Sequence, residues 1–227
     1  MSSRQRAEAQ RSASVARPLA GRPGRAGSFG GRGTGTLGVL LLGGLLALPA
    51  AAAAPLDTAA LERGEILVSS RPVAGYQVPE FEALCLVEAT PEKVWAVIDR
   101  CAAYAGFMPR VSRSEELSRQ GTLVTCLLEI DLPFPLGSLL SVTEADHLAL
   151  GDRRFTRRWR LQRGDFVLNQ GRWEIDPWGD GARSLIRYSV ITQPRTALPD
   201  RLQSYFQRRG LFDILGSLRR RLAATVP

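Results

Sequence analysis

Polar and apolar positions change period several times along this chain. From residue 80 to 89 they alternate: Phe81, Ala83, Cys85 and Val87 share one side, and Glu80, Glu82 and Glu88 share the other. A repeat of two is the mark of a strand with one buried face. Leu84 and Leu86 dilute the polar side, so both faces are expected to be partly covered. At Thr90 the repeat lengthens. Thr90 offers a capping hydroxyl and Pro91 suits the first helical position. Val94, Trp95, Val97 and Ile98 then form an inner helical stripe. A second short helix is predicted over 101–107, with Pro109 ending it. From 110 to 194 strand follows strand, near 110–118, 122–130, 139–148, 153–163, 166–176 and 182–192. Gln120-Gly121, Leu150-Gly151-Asp152, Arg163-Gly164-Asp165 and Trp178-Gly179-Asp180-Gly181 punctuate them as hairpin turns. Such short connections predict antiparallel meander pairing.

The last period is helical again. Leu202, Phe206, Ile214, Leu215, Leu218 and Leu222 lie near one stripe between residues 199 and 224. Pro199 suits the first turn, Gly210 is expected to bend or interrupt the helix, and Arg219, Arg220 and Arg221 suit its C-terminal dipole. Upstream, 57–65 reads as a short helix capped by Asp57, 66–70 as a short strand, and 72–79 as a Pro/Gly connection. The order is strand, two short helices, six antiparallel strands and one long helix. That is an α+β architecture in which a curved antiparallel sheet wraps around the C-terminal helix, the one element long enough to cover its apolar face. Whatever volume the helix leaves unfilled becomes a pocket.

The segment Ala89-Thr-Pro-Glu-Lys-Val-Trp-Ala-Val-Ile-Asp99, followed by Tyr104 and Phe107-Met-Pro-Arg-Val111, resembles the opening of START-like domains of the polyketide cyclase/dehydrase and lipid-transport (SRPBCC) superfamily. Within it the chain is most similar to the coenzyme-Q-binding START group. The resemblance covers about residue 80 to the C-terminus. It implies the helix-grip (Bet v 1-like) fold and a lipid, sterol, polyketide or quinone as ligand. Relatives of the quinone-binding group usually work inside mitochondria or the bacterial cytoplasm, whereas the first residues of this chain point to export.

Those residues, 1–54, hold seven arginines against the single acid Glu8, then an apolar run from 37 to 48, Pro49 and five alanines. Basic start, apolar middle and small-residue exit make a secretory signal peptide, with a disordered leader as the plainer alternative. The run is shorter than the roughly 20 residues of a spanning helix. Residues 55–79 would be an N-terminal extension and 80–227 the START-like domain. Losing seven of 30 basic residues and one of 22 acids takes the formal charge from +8 to +2. The basic balance is therefore largely a property of the leader, and no nucleic-acid partner is expected. Cys85, Cys101 and Cys126 match no metal or redox spacing. A disulfide is possible in an oxidising compartment, but buried core thiols are the preferred reading.

Candidate chemistry is sparse. His147 is the sole histidine, so neither a triad nor a multi-histidine metal site can be assembled, and no cofactor is expected. The favoured reading of His147 is a satisfied or surface histidine. Glu144 and Asp146 share one side of a strand, inner or outer left open. Strand parity is more informative. Phe155, Trp159 and Leu161 turn inward because Arg154, Arg158 and Arg160 take the other side, and Arg157 goes in with them. Val167, Trp173 and Ile175 bring Asn169 inward, while Ile186 and Val190 bring Tyr188 and Thr192. Arg157 and its neighbours are thus expected either to receive the polar head of an apolar ligand, or to leave Arg157 paired with Glu144 or Asp146 or reaching solvent.

The apolar lining would come from Phe107, Leu128, Ile130, Phe134, Phe155, Trp159, Trp173 and Phe206, each equally at home as ordinary core. Leu132-Pro-Phe-Pro-Leu136 cannot continue a central strand. It reads as a loop at the pocket mouth, a gate or simply a packed segment, with a transient membrane touch as a further option. Arg208, Arg209 and Arg219 to Arg221 could meet anionic lipid or face solvent. The leading expectation is a carrier or sensor of a hydrophobic molecule without chemistry of its own. A polyketide cyclase/dehydrase-type enzyme using the same pocket is the alternative, and an interaction module with a self-filled interior is the third class.

Overall fold

A computed structural model describes residues 56–76, 78–133, 136–195 and 200–224, with the side chains of 200–204 outside that description. Its elements are α1 (Thr58–Glu62), β1 (Leu67–Arg71), β2 (Glu80–Val87), α2 (Pro91–Ile98), a 3₁₀ helix (Cys101–Gly106), β3 (Val111–Gln120), β4 (Leu123–Asp131), β5 (Ser138–Gly151), β6 (Arg154–Gly164), β7 (Phe166–Trp178), β8 (Arg183–Pro194) and α3 (Asp200–Ala223). The strands form one curved, unclosed antiparallel sheet in the order β1-β2-β8-β7-β6-β5-β4-β3. The meander from β3 to β8 follows from its short turns. β2 then closes onto β8 with Ala83 opposite Tyr188 and Cys85 opposite Ile186.

The alternation read in β2 sets the core. Phe81, Ala83, Cys85 and Val87 are buried, and with Val94, Ile98, Trp173, Ile175 and Ile186 they meet Leu211, Leu215, Leu218 and Leu222 of α3. α3 thus docks through its C-terminal half. It passes through Gly210 without interruption, where a helix break or bend is expected from sequence. A side chain at 210 would meet nothing within 4 Å, so this glycine has only its propensity penalty. The Asp57 carboxylate caps α1, accepting from the Ala60 amide at 2.9 Å. Thr90 precedes α2 without a side-chain cap bond, contrary to its sequence reading. On the outer face Leu61 of α1 packs with Leu86 and Leu185, and β1 extends the sheet beyond β2 as an eighth strand.

Two sequence readings are corrected here. Cys101 and Cys126 form a disulfide with Cα atoms 6.3 Å apart, so only Cys85 is the buried free thiol expected of all three. Val167 is 59% exposed rather than inward. An irregularity between Phe166 and Leu168 resets the register, and Phe166 takes the buried position. Among the described residues no helix is long and apolar enough to cross a membrane.

Candidate functional site in the concave face

β5, β6, β7 and β8 each present polar side chains beside the apolar core. Parity on β5 turns Thr143, Ala145 and His147 into the interior, all buried, and leaves Glu144 and Asp146 outside. Glu144 there accepts from Arg160 at 2.5 Å, and Asp146 from the Thr122 hydroxyl at 2.8 Å. Neither acid reaches Arg157, so the expected pairing with one of them is replaced by another. Arg157, only 3% exposed, donates from Nε to His147 Nε2 at 3.0 Å. The Nδ1 of His147 lies 2.7 Å from Asp99 Oδ1.

Protonation follows from this geometry. A guanidinium can only donate, so His147 Nε2 accepts, and Nδ1 carries the proton that goes to Asp99. Burial lowers the His147 pKa, and this outweighs the raising effect of the Asp99 hydrogen bond. For Asp99, burial acts upward, but hydrogen bonds from His147 and Arg119 hold its pKa below the usual carboxylate value. Arg119 of β3 clamps Asp99 at 3.1 Å and Glu116 at 2.8 Å. Trp95 packs against the imidazole in a T-shaped arrangement, with ring centroids 5.6 Å apart.

Among the described residues, the other groups that meet Arg157 are uncharged. Its guanidinium carbon sits 5.6 Å from the Tyr104 ring centroid and 5.4 Å from that of Trp159, within cation–π range. Its Nη2 lies 3.9 Å from the Cys126 sulfur. The Tyr104 hydroxyl is spent on the Ile98 carbonyl at 2.5 Å. Trp159 donates from Nε1 to Asn169 Oδ1 at 3.0 Å, and Asn169 passes the bond on to the Ser141 hydroxyl at 2.9 Å. This indole packs against Gly171, where a Cβ would meet its ring at 2.5 Å. Tyr188 stacks against Trp159 at 5.7 Å and tilts against Trp173 at 4.2 Å. Burial pushes its phenol pKa well up, opposed by the Arg157 charge.

The sequence-derived site therefore divides. Arg157, Trp159, Asn169, Trp173 and Tyr188 come together as one buried group. Leu128 and Phe107 flank it in the small cluster around Cys101, Tyr104 and Cys126, and Ile130 is half-buried further along β4. Phe155 stacks on Trp95 at 5.2 Å, as core. Thr192 is half-buried, and both its carbonyl and its hydroxyl accept from Gln207 of α3, at 2.6 and 2.8 Å. Phe206 is half-buried beside the exposed Tyr205. Phe134 lies outside the described residues. Asp99, Ser141, Tyr104 and Gln207 belong to the site and were not among the candidates read from sequence, while His147, expected as a satisfied or surface histidine, is the satisfied one. For Asp99 a signal existed: an acid at the C-terminus of α2 opposes the helix dipole and so calls for a cationic or donor partner.

Two clefts open at the margins of this group. One of about 260 Å³ lies between α2 and the end of α3, lined by Ala89, Lys93, Val97, Arg100, Phe107 and Leu222 among others. Another of about 380 Å³ is lined by Arg158, Gln170, Arg172 and Glu174 together with Glu80, Gly171 and Trp159. Neither is lined by Arg157. Among the described residues no group of three or more His, Cys, Asp or Glu is placed to hold a metal ion. The concave group offers a cation and hydroxyl donors, and the one imidazole in it has both nitrogens engaged.

Comparison with known proteins bears on the fold. A family model described as polyketide cyclase / dehydrase and lipid transport matches residues 87–219. A STAR-related lipid transfer protein from Xanthomonas axonopodis is similar at 24% identity, covering 70% of this chain and 93% of that one with a TM-score of 0.62. Human StAR-related lipid transfer protein 5 is 16% identical over 71% of this chain and 83% of its own, TM-score 0.62. The Zhui aromatase/cyclase from Streptomyces sp. R1128 is 18% identical over 65% and 95%, TM-score 0.54. No curated protein matches the sequence.

Proposed function

This chain belongs to the polyketide cyclase / dehydrase and lipid transport family, and we propose that it binds one hydrophobic small molecule between the sheet and the N-terminal half of α3, as a carrier or sensor. The apolar body would lie against Leu128, Ile130, Thr192 and Phe206, with its polar end toward Arg157 and Tyr188. One observation carries this reading: a buried guanidinium meets two aromatic rings, a neutral imidazole and a disulfide sulfur, and no carboxylate among the described residues. Burying a charge in that way is unfavourable unless a further partner arrives. Two similar structures bear names of lipid transfer proteins and a third that of an aromatase/cyclase, which supports an apolar ligand.

Binding is favoured over a cyclase-type reaction by the state of the titratable groups. A general base needs a free lone pair near the reacting proton. The lone pair of His147 is taken by Arg157, and the acids Glu144 and Asp146 face outward. Export is part of the same proposal. Residues 1–54 lie outside the described residues, and the Cys101–Cys126 disulfide fits an oxidising compartment. Native mass spectrometry of the protein purified from its own host tests the function. A co-purifying apolar molecule of defined mass is expected, and a protein recovered only in the bare form, and bare again after incubation with lipid extract, would reject the carrier reading.

A further inference from the structure

Resting on the binding reading above, we propose that the ligand's polar end is an anion of carboxylate type, received by the terminal nitrogens of Arg157 with the Tyr188 hydroxyl as a second donor.

Arg157 is 3% exposed and fixed by its Nε bond to His147. Each described group that faces it is prevented from serving as its counter-ion. His147 accepts through a neutral nitrogen and so orients the guanidinium without compensating it. Asp99 stands behind the imidazole and is already bound by Arg119. Glu144 and Asp146 belong to the outer face. The Cys126 sulfur, at 3.9 Å, is locked in the disulfide with Cys101 and cannot become a thiolate. The Tyr104 hydroxyl donates to the Ile98 carbonyl, and burial keeps both Tyr104 and Tyr188 in the phenol form. A sterol-like hydroxyl or a ketone would satisfy a hydrogen bond and leave the charge uncompensated. A carboxylate satisfies both.

The geometry of the donors agrees. With Nε committed to His147, the outer edge of the guanidinium presents its two terminal nitrogens, the planar fork that fits two carboxylate oxygens. Burial keeps the Tyr188 hydroxyl protonated and so able to donate, and Tyr188 is close enough to Arg157 to feel its charge. Trp159, Trp173 and Tyr188 wall the position with rings, so an anion seated there would be screened from water and its pairing strengthened.

The test uses the full-length chain and two probes of one chain length, oleate and oleyl alcohol, each displacing a neutral solvatochromic dye. Oleate is expected to bind about tenfold more tightly than the alcohol, as a charge-assisted hydrogen bond exceeds a neutral one. Arg157→Gln is expected to erase that preference by weakening oleate alone, and Arg157→Lys to retain part of it, which separates a lost charge from a misfolded variant. Asp200→Asn, at the start of α3, is expected to leave the preference unchanged. Equal binding of acid and alcohol by the native protein would overturn the anion assignment while leaving the carrier reading intact. A marked gain in oleate affinity in Asp200→Asn would also overturn it, because the counter-ion would then be internal. Binding of neither probe would sink the carrier reading, and this inference with it.

Discussion

The two halves of the concave face are built on different principles. Where the C-terminal half of α3 meets β2, β7 and β8, Leu211, Leu215 and Leu218 are at most 1% exposed against Ile175 and Ile186, both at 0%. Where the N-terminal half of the same helix passes over β8, the contact is a glutamine amide on Thr192, with Phe206 half-buried and Tyr205 60% exposed. Asn169 lies opposite Thr192 in the sheet, and Arg157, Asn169 and Ser141 are buried polar groups in place of aliphatic side chains. One half is stabilised by apolar area removed from water. The other spends buried polar groups on a fixed arrangement of donors. A domain that needed only to fold would have no use for the second half, and that difference is the physical basis for assigning it to a ligand.

Paired substitutions break this comparison most sharply. Leu215→Ala removes a fully buried side chain from the packed half and should destabilise by about 2–5 kcal/mol, the usual range for a leucine truncated in a core. Arg157→Met, similar in length, removes a buried charge and leaves one imidazole nitrogen without its donor. These effects oppose each other, so stability should stay within about 1 kcal/mol of the parent. Thermal unfolding of the two variants, read beside ligand affinity, checks the contrast. A loss from Arg157→Met as large as that from Leu215→Ala would make the guanidinium a structural brace.

The disulfide is the next largest contribution. It ties the 3₁₀ helix to β4 across a sequence separation of 25 residues, beside Tyr104 and Arg157. Closing a loop of that size contributes about 3 kcal/mol through the unfolded chain. The double variant Cys101→Ser and Cys126→Ser should lower the unfolding midpoint accordingly, and dithiol treatment should lower the parent's midpoint by a similar amount. An unchanged midpoint in both would mean that the small cluster around Tyr104 holds this corner without the crosslink.

The order of elements was legible because each signal was local. Alternation in 80–87, the proline at 91, glycine-bearing turns and a 24-residue helical period each name their own element. Parity along β6, β7 and β8 likewise turned Arg157, Asn169 and Tyr188 inward. The partner of Arg157 was not legible, because pairing between strands depends on register. The turn between β5 and β6 is centred on Asp152 and Arg153, which hold φ of 48° and 59°, rather than on the glycine before them. A bulge between Ala149 and Gly151 shifts the ladder again before His147 meets Arg157. One residue of slip exchanges the faces of a strand, so His147 and Glu144 could not be told apart in advance. The disulfide was hidden for a related reason: a helix and a strand must first be brought together, and no motif spacing announces it.

The smallest expected effect sharpens the comparison from inside the polar half. In the folded chain burial lowers the His147 pKa, whereas in the unfolded chain the imidazole returns to its ordinary value near 6.5. Below that value the unfolded state takes up a proton that the folded state resists. The neutral His147 therefore contributes stability that is full above about pH 6.5 and is lost as pH falls toward the folded value. Asp99, whose pKa is also lowered, adds a contribution that disappears only in more acidic solution, as pH falls below its ordinary 3.8. Unfolding midpoints of the parent and of His147→Gln, measured from pH 7.5 to 5, isolate the histidine. The parent should lose stability across that window, and His147→Gln should show a shallower slope while keeping a hydrogen-bonding side chain between Asp99 and Arg157. Parallel slopes would mean that His147 accepts its proton in the folded state without penalty. Arg157 would then face a second cation, and the neutral imidazole that leaves its charge available to a ligand would not be the state present at low pH.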